Sequence, residues 1–186
     1  MDNQVIKELK DKIKFLKKKE QDLIISDLDD TIFSTNEIIK RNYRKWKRGD
    51  EWNKYLLENN LIDTIIKEIY TNKIYPTTIS SKLRKNNDLI LTAGIKQFQI
   101  KKVKALKLEY INIKVVNNWE DKILETIKYV INILWFIPNK ITIYEDRPNF
   151  FVKYKEFIEN FLWTKLEIMF VEMTWNNQTP KILEIK

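Results

Sequence analysis

The chain of 186 residues contains no cysteine and no histidine. The first absence excludes disulfides and thiolate zinc sites. The second excludes Ser-His catalytic pairs, histidine general bases and histidine metal ligands, so acid–base chemistry must come from Asp, Glu, Lys or Tyr. No apolar run approaches the ~20 residues that span a bilayer, and the Lys/Glu-rich start does not resemble a signal peptide. We therefore expect a soluble, cytoplasmic protein without a membrane span.

The chain contains enough apolar residues to build a packed core. Hydrophobic residues make up 44% of it and aromatic residues 12%. One domain with a small insertion is the natural expectation at this length. The formal net charge of +8 favours polyanionic partners, although Lys, Asn and Ile are abundant throughout the sequence.

The most informative segment is DLIISDLDDTIFST, residues 22–35. A strand-like apolar run ends abruptly in Asp27, Asp29 and Asp30. Carboxylates this close at the end of a buried strand repel one another and lose hydration, so a bound cation is the usual compensation. The segment therefore predicts a metal-assisted reaction centre.

Apolar strand-like runs alternate with amphipathic segments along the rest of the chain. This alternation predicts an α/β protein with βαβ units and a mostly parallel sheet. The predicted strands are 22–26, 88–91, 110–116, 140–144 and 166–173, with a short edge strand in 179–186. The predicted helices are 3–20, 95–107, 120–136 and 149–162, with an interrupted helical segment in 35–87.

Reactive residue types follow three of these strands. Asp27 follows the first, Thr92 and Gly94 the second, and Glu145 and Asp146 the fourth. Ligands of parallel α/β sheets bind beyond the carboxyl ends of the strands, where the strand order reverses. We therefore expect these residues to meet at one edge of the sheet.

These motifs, in this order, resemble the haloacid dehalogenase superfamily of aspartate-nucleophile phosphatases. Asp-Leu-Asp-Asp-Thr at 27–31 matches the family's first motif, Leu-Thr-Ala-Gly at 91–94 its second, Lys122 its third and Glu145-Asp146 its fourth. The resemblance implies a three-layer α/β/α, Rossmann-like fold with a mostly parallel central sheet and a small helical cap. The implied division is a basic amphipathic helix at 1–20, a core at 21–34 and 88–186, and a cap at 35–87.

The resemblance also implies catalytic roles. Asp27 would be the nucleophile that forms an aspartyl-phosphate, and Asp29 would protonate the leaving oxygen and then deprotonate the hydrolytic water. Lys122 would neutralise the nucleophile and the transferring group. The phosphoryl group of a phosphorylated substrate would be bound by Thr92, Ala93 and Gly94, and Gly94 is one of only two glycines.

The implied cofactor is Mg²⁺. Asp27 and Asp146 would be direct ligands, Asp29 would contribute its backbone carbonyl, and Glu145 would act through water or by charge. Many family members have glycine at the position of Glu145 and a further aspartate after Asp146. Those departures imply weaker metal binding and leave open a catalytically weak or inactive module that binds nucleic acid or serves in assembly.

Several of these residues have a second interpretation. Asp30 fits a turn or cap better than a ligand, and Thr31 fits a hydroxyl–backbone bond as well as a substrate contact. Lys122 competes with Lys114 and Lys128 for the role of the third motif.

The ending Glu145-Asp146-Arg147 resembles the variant in phosphatase domains of RNA and DNA end repair. Arg147 would contact a polyphosphate, or it would only balance Asp146. In the predicted cap, Arg41, Arg44 and Arg48 share one helical side and form a basic strip among aromatic residues. A nucleotide or nucleic-acid end is therefore the expected substrate. Packing of the cap on the core is the alternative for Tyr43, Trp46 and Trp52.

Overall fold

The computed structural model describes residues 3–34, 49–72, 74–173 and 179–185. Within these ranges the chain folds as an α/β protein, as predicted. The helices are α1 (Asn3–Ile13), α2 (Gly49–Glu58), α3 (Leu61–Thr71), α4 (Lys96–Ala105), α5 (Asp121–Tyr129), α6 (Asn149–Lys153) and α7 (Lys155–Leu162). The strands are β1 (Lys18–Lys19), β2 (Leu23–Ser26), β3 (Leu89–Ala93), β4 (Asn112–Val116), β5 (Ile137–Pro138), β6 (Lys140–Glu145), β7 (Lys165–Glu172) and β8 (Lys181–Ile185).

The main sheet of the described residues has the strand order β4-β3-β2-β6-β7-β8. All of its neighbours run parallel except β7 and β8, which are antiparallel. The chain moves outward from β2 through β3 to β4, and then crosses to the other side for β6 and β7. The strand order therefore reverses beside β2, which is where a ligand site is expected in such a sheet.

Helices cover both faces of this sheet because successive side chains of each strand point to opposite faces. Leu23 and Ile25 of β2 join a core cluster with α1, α5 and α7, whereas Ile24 packs toward a second cluster. The second cluster includes side chains of α2, α3 and α4. The result is the predicted three-layer α/β/α arrangement, with the central strands buried between two apolar layers.

The predicted helices end earlier or break where other contacts compete. The helix predicted for 3–20 ends at Ile13, because Lys18–Lys19 pair in parallel with Ile137–Pro138. The helix predicted for 120–136 continues past Tyr129 only as a π-helical segment, Val130–Leu134. The helix predicted for 149–162 is divided into α6 and α7 at Tyr154.

The segment predicted as a cap is described only in part. Arg41, Arg44 and Arg48 lie outside the described residues, as do Tyr43 and Trp46. The described helices α2 and α3 contribute buried Leu56, Ile65, Ile66 and Ile69 to the second core cluster. Among the described helices, none combines the length and the apolar character that crossing a membrane requires.

Candidate active site

Three carboxylates from two central strands meet at the carboxyl edge of the sheet. Asp27 follows β2 directly, and its backbone N–H donates to Tyr144 O of β6 at 2.9 Å. Glu145 ends β6 and Asp146 follows it. One carboxylate oxygen of each of Asp27, Glu145 and Asp146 lies within 4.8 Å of the others. Parallel pairing of β2 with β6 therefore brings together residues more than a hundred positions apart.

Lys122 on the first turn of α5 is the cation of this cluster. Its Nζ lies 3.0 Å from Asp27 Oδ1 and 2.7 Å from Glu145 Oε2. The residue is only 4% exposed. Burial disfavours the charged ammonium, but the negative charges of Asp27 and Glu145 outweigh it and raise the pKa of Lys122 above its ordinary value. The lysine is therefore charged throughout the physiological range.

The negative charge of the three carboxylates is only partly balanced by nearby positive charge. Burial raises the pKa of Asp27 and raises that of Glu145 well above its ordinary value, although Lys122 opposes both shifts. Burial and the charges of Asp27 and Asp30 raise the pKa of Asp146 to about 7. Lys122 thus compensates two of the three poorly hydrated carboxylates and the half-exposed Arg147 the third, so further positive charge would be bound favourably.

The donor set fits a hard divalent cation. Mg²⁺ prefers oxygen ligands and is usually held by one or two carboxylates, with substrate oxygens and water completing its shell. Asp27 Oδ1 is buried and accepts no hydrogen bond of good geometry within the described residues, although Lys122 Nζ lies near it. The cluster therefore offers carboxylate oxygens that a Mg²⁺ ion would satisfy.

Asp29 belongs to a second charged group at the same edge. Lys102 Nζ of α4 donates to both of its carboxylate oxygens, at 2.6 and 2.7 Å. Gln99 Nε2 donates to Asp29 Oδ2 at 2.9 Å and to Ala93 O at 3.0 Å. Lys102 is 2% exposed and Gln99 is 4% exposed. Two buried side chains of one helix therefore fix the carboxylate of Asp29.

Gly94 makes this arrangement sterically feasible. Its φ of +134° lies in a region that side-chain-bearing residues rarely adopt. A β-carbon at this position would also lie 3.0 Å from Gln99 Nε2, the group that holds Asp29. The sequence predicted Gly94 as a phosphate-binding position, and the described contacts add that glycine leaves room for Gln99.

The three carboxylates of the cluster, together with Asp29, Gly94, Gln99 and Lys102, face one cleft with a volume of ≈490 Å³, whereas Lys122 is not among the residues that line it. Thr92 and Ala93 line it at the end of β3, beside Asp27 and Asp29. Arg147, Trp119 and Phe150 line its other side, and Trp52 of α2 also borders it. Thr92 is buried except toward this space, being 1% exposed. The cleft therefore has carboxylates at its bottom, a hydroxyl group beside them and an aromatic rim.

The structure shows the conformation or contacts of each residue for which the sequence left two interpretations open. Asp30 adopts the left-handed conformation with φ of 58°, as a turn residue does, and its charge faces Asp146. The hydroxyl of Thr31 is buried without a hydrogen-bond partner among the described residues. Lys114 and Lys128 both pair with Glu125, whereas Lys122 reaches the carboxylate cluster.

Sequence reasoning missed Lys102 and Gln99. They lie on the side of α4 that also carries Phe98 and Val103, both buried in the second core cluster. A lysine within an apolar helical stripe is unusual, because its charge must find a partner when it is buried. That position within the stripe, rather than the lysine content of α4, is the signal that could have found Lys102.

Comparisons with known proteins add little to this geometry. No protein-family model matches the chain, and no curated protein matches it. Among solved structures it is similar to a haloacid dehalogenase-like family hydrolase from Xanthomonas campestris, with 9% sequence identity and a TM-score of 0.43. The match covers 70% of this chain and 75% of that one. A similarity this weak gives no information about the chemistry of the site.

Proposed function

We propose that this protein is a Mg²⁺-dependent phosphomonoester hydrolase that works through an aspartyl-phosphate on Asp27. The proposal is supported above all by the cluster of Asp27, Glu145 and Asp146, whose oxygens lie within 4.8 Å of one another. Lys122 within this cluster supplies the buried positive charge that a transferring phosphoryl group requires. The ordered motifs of the haloacid dehalogenase superfamily support the same chemistry.

In the first step an oxygen of Asp27 attacks phosphorus. An Asp27 O–P bond forms while the ester P–O bond breaks, and the departing oxygen takes the electron pair together with a proton from Asp29, whose carboxyl group is protonated at the start of this step. Thr92 Oγ1 donates to a phosphoryl oxygen, and Lys122 balances the charge that accumulates beside Asp27. The product of this step is the aspartyl-phosphate and a free alcohol.

In the second step water attacks the same phosphorus and gives its proton to Asp29. The Asp27 O–P bond breaks, inorganic phosphate leaves and the carboxylate is regenerated. Once Asp29 has given up its proton, Lys102 and Gln99 hold its carboxylate at the wall of the cleft, ready to accept the proton of the water. General acid–base catalysis by a positioned side chain contributes about 10²- to 10⁴-fold to the reaction rate.

Asp27 and Asp146 would hold the Mg²⁺ ion, with the carbonyl of Asp29 as a further ligand and Glu145 acting by charge. When bound, the ion supplies the positive charge that lets a carboxylate approach a phosphate dianion. Glu145 is suited to the more distant role because Lys122 Nζ already donates to its Oε2 at 2.7 Å.

A simple test is phosphate release from 4-nitrophenyl phosphate in the presence of Mg²⁺. We expect turnover that chelation removes and excess Mg²⁺ restores. Mg²⁺ alone should raise the Tm by mass action, and Asp146→Asn should reduce this gain. Asp11→Asn, an exposed substitution on α1, should leave the gain unchanged. A folded wild-type protein with neither turnover nor a Mg²⁺-dependent Tm would instead favour a non-catalytic module that binds nucleic acid or serves in assembly.

The role of Lys102 gives a second test, in which the leaving group is varied. Lys102→Met should lower kcat for an alkyl phosphate by about tenfold or more, because Asp29 is no longer held in place to protonate a poor leaving group. The loss should be much smaller for 4-nitrophenyl phosphate, whose leaving oxygen needs little proton transfer. Asp29→Asn should show the same dependence on the leaving group. Equal losses on both esters would make Lys102 a purely structural residue.

The matched control for that test is Lys101→Met. Lys101 neighbours Lys102 on α4 but pairs with exposed Asp63. Its replacement removes the same charge from the same helix without touching Asp29. The ratio of alkyl to aryl turnover should therefore remain that of the wild type.

A further inference from the structure

The aromatic rim of the cleft contains a stacked pair that the proposed chemistry does not use. The guanidinium carbon of Arg147 lies 4.6 Å from the centre of the Trp119 ring. Both residues line the same cleft as Asp27 and Asp146. Trp119 is 43% exposed, so much of its surface remains accessible beside the reaction centre.

Short backbone connections tie each member of this pair to a residue of the proposed active site. Arg147 follows Asp146 directly, and its Nε lies 3.5 Å from Asp146 Oδ2. Trp119 lies two residues before the start of α5, and its carbonyl accepts a hydrogen bond from Lys122 N at 3.1 Å. The two segments that position Lys122 and Asp146 therefore also position the stacked pair.

The chemistry of the pair favours a flat aromatic ligand. An indole ring offers a large rigid surface, and stacking of a base on an aromatic side chain is tolerant of base identity. A guanidinium that stacks on a ring keeps its N–H groups in the plane, where they can donate to sugar or phosphate oxygens. The cleft volume of ≈490 Å³ lies within the ordinary range for small-molecule sites.

We propose that Trp119 and Arg147 form a stacking subsite for the base of a nucleoside monophosphate, whose phosphate would lie over Asp27. This inference rests on the proposed phosphomonoesterase function and names its substrate class. The subsite uses residues outside the predicted basic strip, so it does not depend on Arg41 or Arg44.

The sharpest test compares two esters that differ only in the base. A nucleoside 5′-monophosphate and ribose 5-phosphate share the same leaving oxygen, so the chemistry at phosphorus is matched. The wild type should prefer the nucleotide. Trp119→Ala should lower kcat/KM for the nucleotide by about 10- to 100-fold and leave ribose 5-phosphate within about twofold. Trp119→Phe should retain most of the preference, because it keeps an aromatic face.

Trp163→Ala is the control for loss of an exposed tryptophan. Trp163 is 57% exposed and is absent from the lining of the cleft. Its replacement should leave kcat/KM unchanged for both esters. Equal losses on both esters in Trp119→Ala, or no loss on the nucleotide, would overturn the proposed subsite while leaving the phosphatase proposal intact.

A binding experiment separates the two proposals if no ester is hydrolysed. Calorimetric titration of the wild type with a nucleoside 5′-monophosphate, in the presence of Mg²⁺, should then show binding that Trp119→Ala weakens by a similar factor and Trp163→Ala does not. Such a result would retain the subsite and reject the catalytic proposal. Equal affinity in wild type and Trp119→Ala would reject the subsite.

Discussion

Asp27→Asn is expected to lower kcat by at least about 10³-fold, because an amide oxygen cannot replace the attacking carboxylate of a covalent mechanism. The substitution changes almost nothing sterically. Asp27 is 7% exposed and its backbone remains bonded to Tyr144, so the strand pairing of β2 should persist. Phosphate release from an aryl phosphate, measured at saturating substrate and Mg²⁺, gives the comparison directly.

The expected loss must come from chemistry and not from unfolding. Asparagine removes one of the two carboxylates that pair with Lys122, together with its repulsion of Glu145 and Asp146, so the free energy of unfolding without Mg²⁺ should stay the same or increase. Asp63→Asn, a substitution of an exposed carboxylate on α3, should keep wild-type turnover. Substantial turnover by a folded Asp27→Asn protein would exclude Asp27 as the nucleophile.

The parts of the site that could be predicted from sequence are those fixed by the strands. An apolar run that ends in Asp27, and another that ends in Glu145 and Asp146, are local patterns. Parallel pairing then places such strand ends at one edge of the sheet, and the reversal of strand order makes β2 and β6 neighbours. This is why the fold class and the carboxylate cluster could be predicted from the sequence. The edge strand β8 was accessible for the same reason, since its pattern is local.

The remaining parts depend on how helices pack, which spacing alone does not determine. The sequence favoured Lys122 over its competitors Lys114 and Lys128, but only the packing of α5 shows that Lys122 reaches the carboxylates. The position of Lys102 within an apolar stripe indicates burial, but only the packing of α4 shows that its partner is Asp29. The early end of α1 has a similar cause, because pairing of Lys18 with Ile137 is a tertiary contact.

Lys122→Met should lower the free energy of unfolding by about 3–5 kcal/mol when Mg²⁺ is absent, because it leaves buried carboxylates without their charge partner. Methionine keeps the length and apolar stem of the side chain, so the change isolates the ammonium. Lys122 Nζ now lies 3.0 Å from Asp27 and 2.7 Å from Glu145, and no other lysine in the described residues pairs with either. Urea unfolding monitored by circular dichroism would measure the loss.

Addition of Mg²⁺ should recover part of this stability, and the gain should be larger in Lys122→Met than in the wild type. The ion then becomes the principal positive charge of the cluster, and a ligand that binds only the folded state stabilises it by mass action. Turnover should nevertheless stay low, because Lys122 also balances the transferring phosphoryl group.

Lys128→Met is the matched control on the same helix. Its ion pair with Glu125 is partly exposed and should contribute less than about 1 kcal/mol to the free energy of unfolding. If Lys122→Met were as stable as Lys128→Met without Mg²⁺, the lysine would not be the counter-charge that makes this carboxylate cluster tolerable, and the electrostatic basis proposed for the site would be wrong.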